Sequence, residues 1–165
     1  METRTLRSVV YLGAGLGIIA SIFSGLETYY ASLRAVCSIN SFLSCGKVDS
    51  SGLTSTLGIP DYLWGIGGFI LIFVIAAIAE ARPRDRRPEY LLLLVTSAGI
   101  ALAAYFLYVE LALIGAFCIV CGTSYVMGLV AWGGAIGLVR RPPEERPRPP
   151  KRARDSKGGS GRSDE

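Results

Sequence analysis

The sequence predicts an all-α protein, an integral membrane four-helix bundle with an extracytoplasmic loop. Three observations predict it: long charge-free stretches, a one-sided distribution of basic residues, and a composition that is 51% hydrophobic and 18% charged over 165 residues. Uncharged runs cover residues 8–26, 62–79, 90–109 and 111–139. A hydrocarbon layer of about 30 Å needs roughly 20 helical residues rising about 1.5 Å each, so each run is long enough to cross. Four buried core helices of a soluble protein are the alternative, but too little polar chain remains to cover such a core.

The first span, about 8–26, follows Arg4 and Arg7. Its apolar run exceeds the roughly 7–15 residues of a signal peptide and lacks a small-residue cleavage site, so a retained helix is expected. A loop over 27–61 leads to the second span, about 62–79. The third begins at 90, and Leu111 to Ala116 finish it near 114 before a turn at Gly115. The fourth then occupies about 117–139. Residues 1–139 thus form the membrane domain. The tail 140–165, rich in Pro, Arg, Gly and Ser, is expected to be disordered because it buries too little apolar surface to offset the entropy of ordering.

Fifteen of the seventeen Lys and Arg residues fall on one side of these crossings, the exceptions being Arg34 and Lys47. The bias of basic residues toward the cytoplasm puts both termini and the Arg82–Arg87 loop inside and residues 27–61 outside. The basic tail suits anionic lipid headgroups. It has no interleaved aromatics for base stacking, and acidic residues interrupt it, so no nucleic-acid partner is expected.

Within the outer loop, residues 27–36 keep helical spacing, and Tyr29 and Tyr30 suit the headgroup level. Asp49, Ser50 and Ser51 resemble N-caps for a short helix over Leu53 to Leu57, ended by Gly58-Ile59-Pro60. A segment of this length without regular structure usually carries function, here as a lid on the membrane surface. Glu110 lies near the outer end of the third span, where a carboxylate can reach headgroups, and it receives no role.

The chain contains no His, which excludes imidazole metal ligands, His acid–base catalysis and His-containing triads. Four cysteines carry the reactive chemistry: Cys37 and Cys45, with seven residues between them, and Cys118 and Cys121 in Phe-Cys-Ile-Val-Cys-Gly. All four fall on the outer, oxidising side. A C-x-x-C opening a helix sits in the positive end of its dipole, which favours a thiolate and reversible exchange. Two structural disulfides or a four-thiolate zinc site remain open on the residues alone. Haem attachment is disfavoured because Gly122 stands where C-x-x-C-H needs a His.

These features together resemble the vitamin K epoxide reductase family, over most of residues 8–139. The likeness rests on four spans, the loop pair Cys37 and Cys45, and Phe-Cys-Ile-Val-Cys at the last helix. Ser50 and Ser51 after Cys45, Tyr125 four residues after Cys121, and Trp64-Gly65 at the second helix match as well. The resemblance implies that Cys37 accepts electrons from a partner's thiolate, that Cys45 relays them by bridging to Cys118, and that Cys121 faces a quinone. It implies a cofactor-binding set of Tyr125, Asp61, Ser50 and Ser51. Tyr125 would donate its hydroxyl to one quinone carbonyl. Asp61 stands where the family often has an Asn, and an ionised carboxylate cannot donate, so Asp61 would need to carry a proton there.

The expected activity is therefore that of a quinone-reducing thiol–disulfide oxidoreductase in the cell membrane, the outer loop being its redox loop. It passes electrons from a thioredoxin-fold thiol protein through two cysteine pairs to a membrane quinone and supports disulfide formation. Because no fused thioredoxin-like domain follows, a separate partner is expected, and no metal is. The acceptor is a menaquinone, a ubiquinone or a vitamin K-type quinone. Reduction of vitamin K or its epoxide is the near alternative, and a non-enzymatic disulfide-stabilised scaffold the distant one.

Overall fold

The computed structural model describes residues 3–52, 55, 56, 58–82 and 85–141. Four helices are long and apolar enough to cross a membrane, and they account for most of the fold. Helix α1 spans Thr3–Tyr29, and after a break at Tyr30 the short α2 covers Ala31–Cys37. Helix α3 (Cys45–Ser50) and a small hairpin of β1 (Ser55–Thr56) and β2 (Ile59–Pro60) lead to α4, Asp61–Ala81. Helix α5 runs Arg87–Tyr108 and widens into a π-helical segment over Val109–Ile114, and α6 covers Ile119–Val139. The all-α membrane bundle read from the sequence is thus the observed architecture.

Local chemistry sets the helix ends. Pro88 and Glu89 occupy the first turn of α5, where a missing N–H costs nothing and a carboxylate meets the positive dipole end. The third span stops at Gly115, whose φ of +65° is a left-handed conformation that glycine adopts without strain. Its N–H caps the carbonyl of Glu110, and the next amide, Ala116 N, bonds the same oxygen at 3.1 Å.

Helix α1 is central: it packs along α6 and α4, while α5 closes the bundle against the same two. Close approach of α1 and α6 needs small residues. A Cβ on Gly13 would stand 2.9 Å from the Met127 carbonyl oxygen and 3.0 Å from Ala131 N. Without a hydrophobic drive inside lipid, such backbone-to-backbone packing and interhelical hydrogen bonds hold the bundle. Val10, Ala14, Leu92, Ala131 and Ala135 form its buried centre, and Leu12, Ile19 and Leu94 face outward as lipid-exposed side chains. Trp132 Nε1 donates to Ser97 Oγ at 3.0 Å, and Tyr11 donates to Glu80 at 2.9 Å.

The outer segment differs from the expected arrangement. The short helix lies over Cys45–Ser50, N-capped by Ser44, whose hydroxyl accepts Lys47 N at 3.3 Å. Ser51 is its C-cap rather than the N-cap of a later helix. Gly52 takes a φ of +68° just past α3, and Gly58 one of +76° ahead of Ile59–Pro60, which pairs antiparallel with Ser55–Thr56. Several serines in this stretch can each cap a helix, and Ser44 is selected by a distant contact. Its N–H bonds the Phe117 carbonyl at 3.2 Å while Phe117 N donates to Phe42 O at 2.7 Å. Leu53 and Leu57, the expected apolar face of the later helix, lie outside the described residues, as does the tail beyond Arg141.

Candidate functional site

The loop-to-helix bridge between Leu43 and Phe117 aligns two stretches of chain just ahead of the cysteines, Cys118 following Phe117 directly and Cys45 following Leu43 after Ser44. Asn40 shapes the approach: its side-chain oxygen accepts Phe42 N at 2.9 Å and Leu43 N at 2.7 Å, folding residues 38–44 into a tight turn. Cys37 at the end of α2 and Cys45 at the start of α3 are joined as a disulfide, with Cα atoms 5.7 Å apart. Cys118 and Cys121 are thiols. The Cys118 thiol points at Cys45 Sγ from 3.3 Å, inside the range at which reacting atoms are poised. All four cysteines are buried, between 2% and 7% exposed, in a single cluster with Val48 and Ala116.

Cys118 is the N-cap of α6, and its sulfur accepts the Cys121 N–H at 3.3 Å. A free amide at the helix start thereby meets the sulfur that must carry negative charge during exchange. The expectation that C-x-x-C opens the last helix matches this geometry. The loop pair itself is buried, although residues 39–42 between its two cysteines are exposed. A carboxylate oxygen of Glu27, itself only 5% exposed, and the sulfurs of Cys37, Cys45 and Cys118 all lie within 4.8 Å of one another.

Cys121 belongs to this cluster and also lines a cavity of about 120 Å³ within the bundle. Ser24, Asp61, Trp64, Phe106, Cys121 and Tyr125 are among its walls. The lining is mainly apolar, and Ser24 and Asp61 bring polar atoms to Cys121. Asp61 Oδ2 and Ser24 Oγ each stand 3.9 Å from Cys121 Sγ. Asp61 opens α4, where its Oδ1 accepts Tyr62 N at 2.7 Å, and Tyr125 lies one turn along α6 from Cys121.

Glu110 links the sulfur cluster to the cavity wall. It is 0% exposed, accepts the Tyr125 hydroxyl on Oε1 at 2.7 Å and accepts the Cys118 amide on Oε2 at 3.1 Å. The headgroup position expected for it is therefore wrong. The π-helical segment adds a residue to the turn and swings Glu110 inward, and such widened turns are frequent at functional sites. One general signal pointed at it: an acidic residue inside a span faces the bundle interior by default.

Among the residues singled out from the sequence, Cys37, Cys45 and Cys118 converge, and Cys121, Tyr125 and Asp61 share the cavity. Ser51 does not line that cavity; its hydroxyl donates to Val48 O at 2.7 Å, closing α3. The Ser50 side chain lies outside the described residues. Glu27 and Ser24 complete the site without having been singled out, and Glu110 joins it although the sequence reading gave it no role.

A helical membrane bundle that packs a disulfide against two thiols at one end defines a membrane protein built for thiol–disulfide exchange. The family model described as Vitamin K epoxide reductase family matches residues 8–136. The chain belongs to the vitamin K epoxide reductase family and is a multi-pass membrane thiol oxidoreductase with redox cysteines.

Proposed function

We propose that this protein oxidises a thioredoxin-fold thiol protein and delivers the electrons to a membrane quinone, sustaining disulfide formation outside the cytoplasm. The 3.3 Å approach of Cys118 to Cys45, with Cys121 on the cavity side, carries this reading. A partner thiolate bonds Cys37 and releases Cys45 as a thiolate. Cys45 then bonds Cys118 of an oxidised Cys118–Cys121 pair, releasing Cys121. Cys37 next takes Cys45 back from Cys118 once the partner's second thiol has freed it, which leaves the loop pair closed and the inner pair reduced. That is the arrangement of sulfurs observed.

The apolar walls and the polar atoms clustered at Cys121 fit a flat, carbonyl-bearing ring. A bound quinone supplies a two-electron, two-proton sink. Cys121 lies where it can hand over the electron pair as Cys118 bonds to it, and Tyr125 and Asp61 flank it as hydrogen-bonding groups. Both termini and the Arg82–Arg87 loop lie in the cytoplasm and the cysteines on the outer side, as the basic-residue bias supports. Residues 140–165 form a tail appended to the membrane domain.

The test is purified protein in lipid with a reduced thioredoxin-fold protein and a soluble quinone. Quinone absorbance should fall in a partner-dependent way and stop on Cys121→Ala; no cysteine-dependent loss of absorbance refutes the reading. A second reading, a metal-binding module, draws on the three sulfurs and Glu27, a set that reduction of the loop pair would open to a thiophilic cation. It requires stoichiometric zinc in the reduced protein and no electron transfer.

A further inference from the structure

Hydrogen-bond valence sets a constraint on the site that the quinone reading alone does not meet. A phenol has a single O–H. Here the Tyr125 O–H is spent on Glu110 Oε1, at 2.7 Å, so Tyr125 has nothing to donate to a carbonyl in the cavity. A quinone carbonyl can only accept. Tyr125 becomes a donor toward the cavity without stranding a buried carboxylate oxygen when Glu110 holds the proton and donates to the Tyr125 oxygen, turning the phenol O–H outward.

We propose that Glu110 is a proton-relay residue of this site, passing a proton through the Tyr125 hydroxyl to the acceptor oxygen as electrons leave by Cys121. This rests on the quinone reading above. Glu110 suits the task by position. It is fully buried, it does not line the cavity, and its second oxygen binds the amide of Cys118, the residue whose sulfur must also shed a proton. In balance, the dithiol Cys118/Cys121 gives two electrons and two protons and becomes a disulfide. The acceptor takes both and becomes a hydroquinone. One proton reaches one oxygen by Glu110 and Tyr125, and the Glu110 carboxylate is then refilled from the dithiol. The other reaches the second oxygen on the side of Asp61, 3.9 Å from Cys121. No further oxidant or reductant is needed.

Glu110→Gln is the discriminating variant, because a carboxamide keeps both contacts. Its oxygen accepts from Cys118 N and its NH₂ donates permanently to the Tyr125 oxygen, so Tyr125 stays turned toward the cavity, yet no proton can pass. General acid catalysis contributes roughly 10²–10⁴-fold. We expect kcat for quinone reduction to fall about 10²-fold, at the low end of that range, with quinone affinity kept within about twofold. Affinity is read separately by quenching of Trp fluorescence, Trp64 being a wall of the cavity. Formation of the Cys45–Cys118 bridge should keep its normal rate. Infrared difference spectra on quinone binding should show a protonated carboxyl band that disappears in Glu110→Gln.

Residues acting as one relay are not additive, so Glu110→Gln with Tyr125→Phe should be no slower than Tyr125→Phe alone. Wild-type kcat in Glu110→Gln, an equal loss of cysteine exchange, or a carboxyl band that survives the substitution overturns the relay. If the variant does not fold, the infrared band in wild type and its loss in Tyr125→Phe decide. Failure of the parent reading looks different: the wild-type protein itself then reduces no quinone.

Discussion

Removing Cys37 and Cys121 together, each as Ser, leaves Cys45 and Cys118 facing one another at 3.3 Å. A disulfide bond is about 2.05 Å long, so the sulfurs need close by only about 1.2 Å, which side-chain rotation supplies. Mild oxidant should therefore join them in nearly every molecule. The bridge spans 73 residues, whereas Cys37–Cys45 spans 8. In the loop-entropy treatment these separations correspond to about 4.4 and about 2.5 kcal/mol, so the long bridge should stabilise the bundle by about 2 kcal/mol more. Helices that stay in lipid on denaturation restrict the unfolded chain and make that the upper end. Mobility shift after maleimide labelling reports the bond. Denaturation in mixed detergent, against a Cys118→Ser, Cys121→Ser variant that keeps only the loop pair, reports the stability. Thiols that remain open to alkylation under oxidant would refute the proposed exchange between the pairs.

Gly13→Ala should cost about 1–3 kcal/mol through overpacking against Met127 and Ala131, less about 1 kcal/mol regained in helix propensity. Gly15→Ala, whose Cβ meets open space, should be neutral or stabilising in the same denaturation assay. Asp61→Asn supplies a permanent donor beside Cys121, so quinone KM should hold or fall; a rise of tenfold would show that the carboxylate itself is required. In intact cells, an impermeant maleimide should label a cysteine substituted for Asn40 and miss one substituted for Asp85; the reverse pattern would invert the proposed orientation.

The bundle was legible because a bilayer makes length and charge decisive. Four uncharged runs leave few alternatives, and Gly115 marks the turn between the last two helices by its backbone freedom alone. The cysteines were legible as residues, and their common end follows from four crossings. What was hidden depends on contacts remote in sequence. Ser44, Ser50 and Ser51 are equivalent as caps until Phe117 binds the chain beside Ser44. The burial of Glu110 depends on a π-helical turn that shifts the phase of the helix, which a 3.6-residue periodicity cannot report. The helical spacing over 27–36 carries α1 on to Tyr29, but nothing local to Glu27 tells that its carboxylate turns inward, which depends on the cysteines it meets from α2, α3 and α6.

Burial of the loop pair also bears on how a partner reaches it. Cys37 is 6% and Cys45 3% exposed, so an incoming thiolate has no line of attack while residues 38–44 are seated. That turn is held by Asn40 and by the two backbone bonds between residues 42–44 and Phe117, each worth about 0.5–1.5 kcal/mol. Unseating it would expose Cys37 and, by the same movement, draw Cys45 away from Cys118, now 3.3 Å away. In the proposed cycle attack on Cys37 would then precede reseating of the turn, and Cys45 would reach Cys118 only once it is reseated. Asn40→Ala separates the two exchanges. It loosens the turn, so Cys37 should be reduced faster by the partner while the Cys45–Cys118 bridge forms more slowly, each by several-fold for a loss of about 1 kcal/mol. Rates that move in the same direction would mean that both exchanges occur in one seated arrangement.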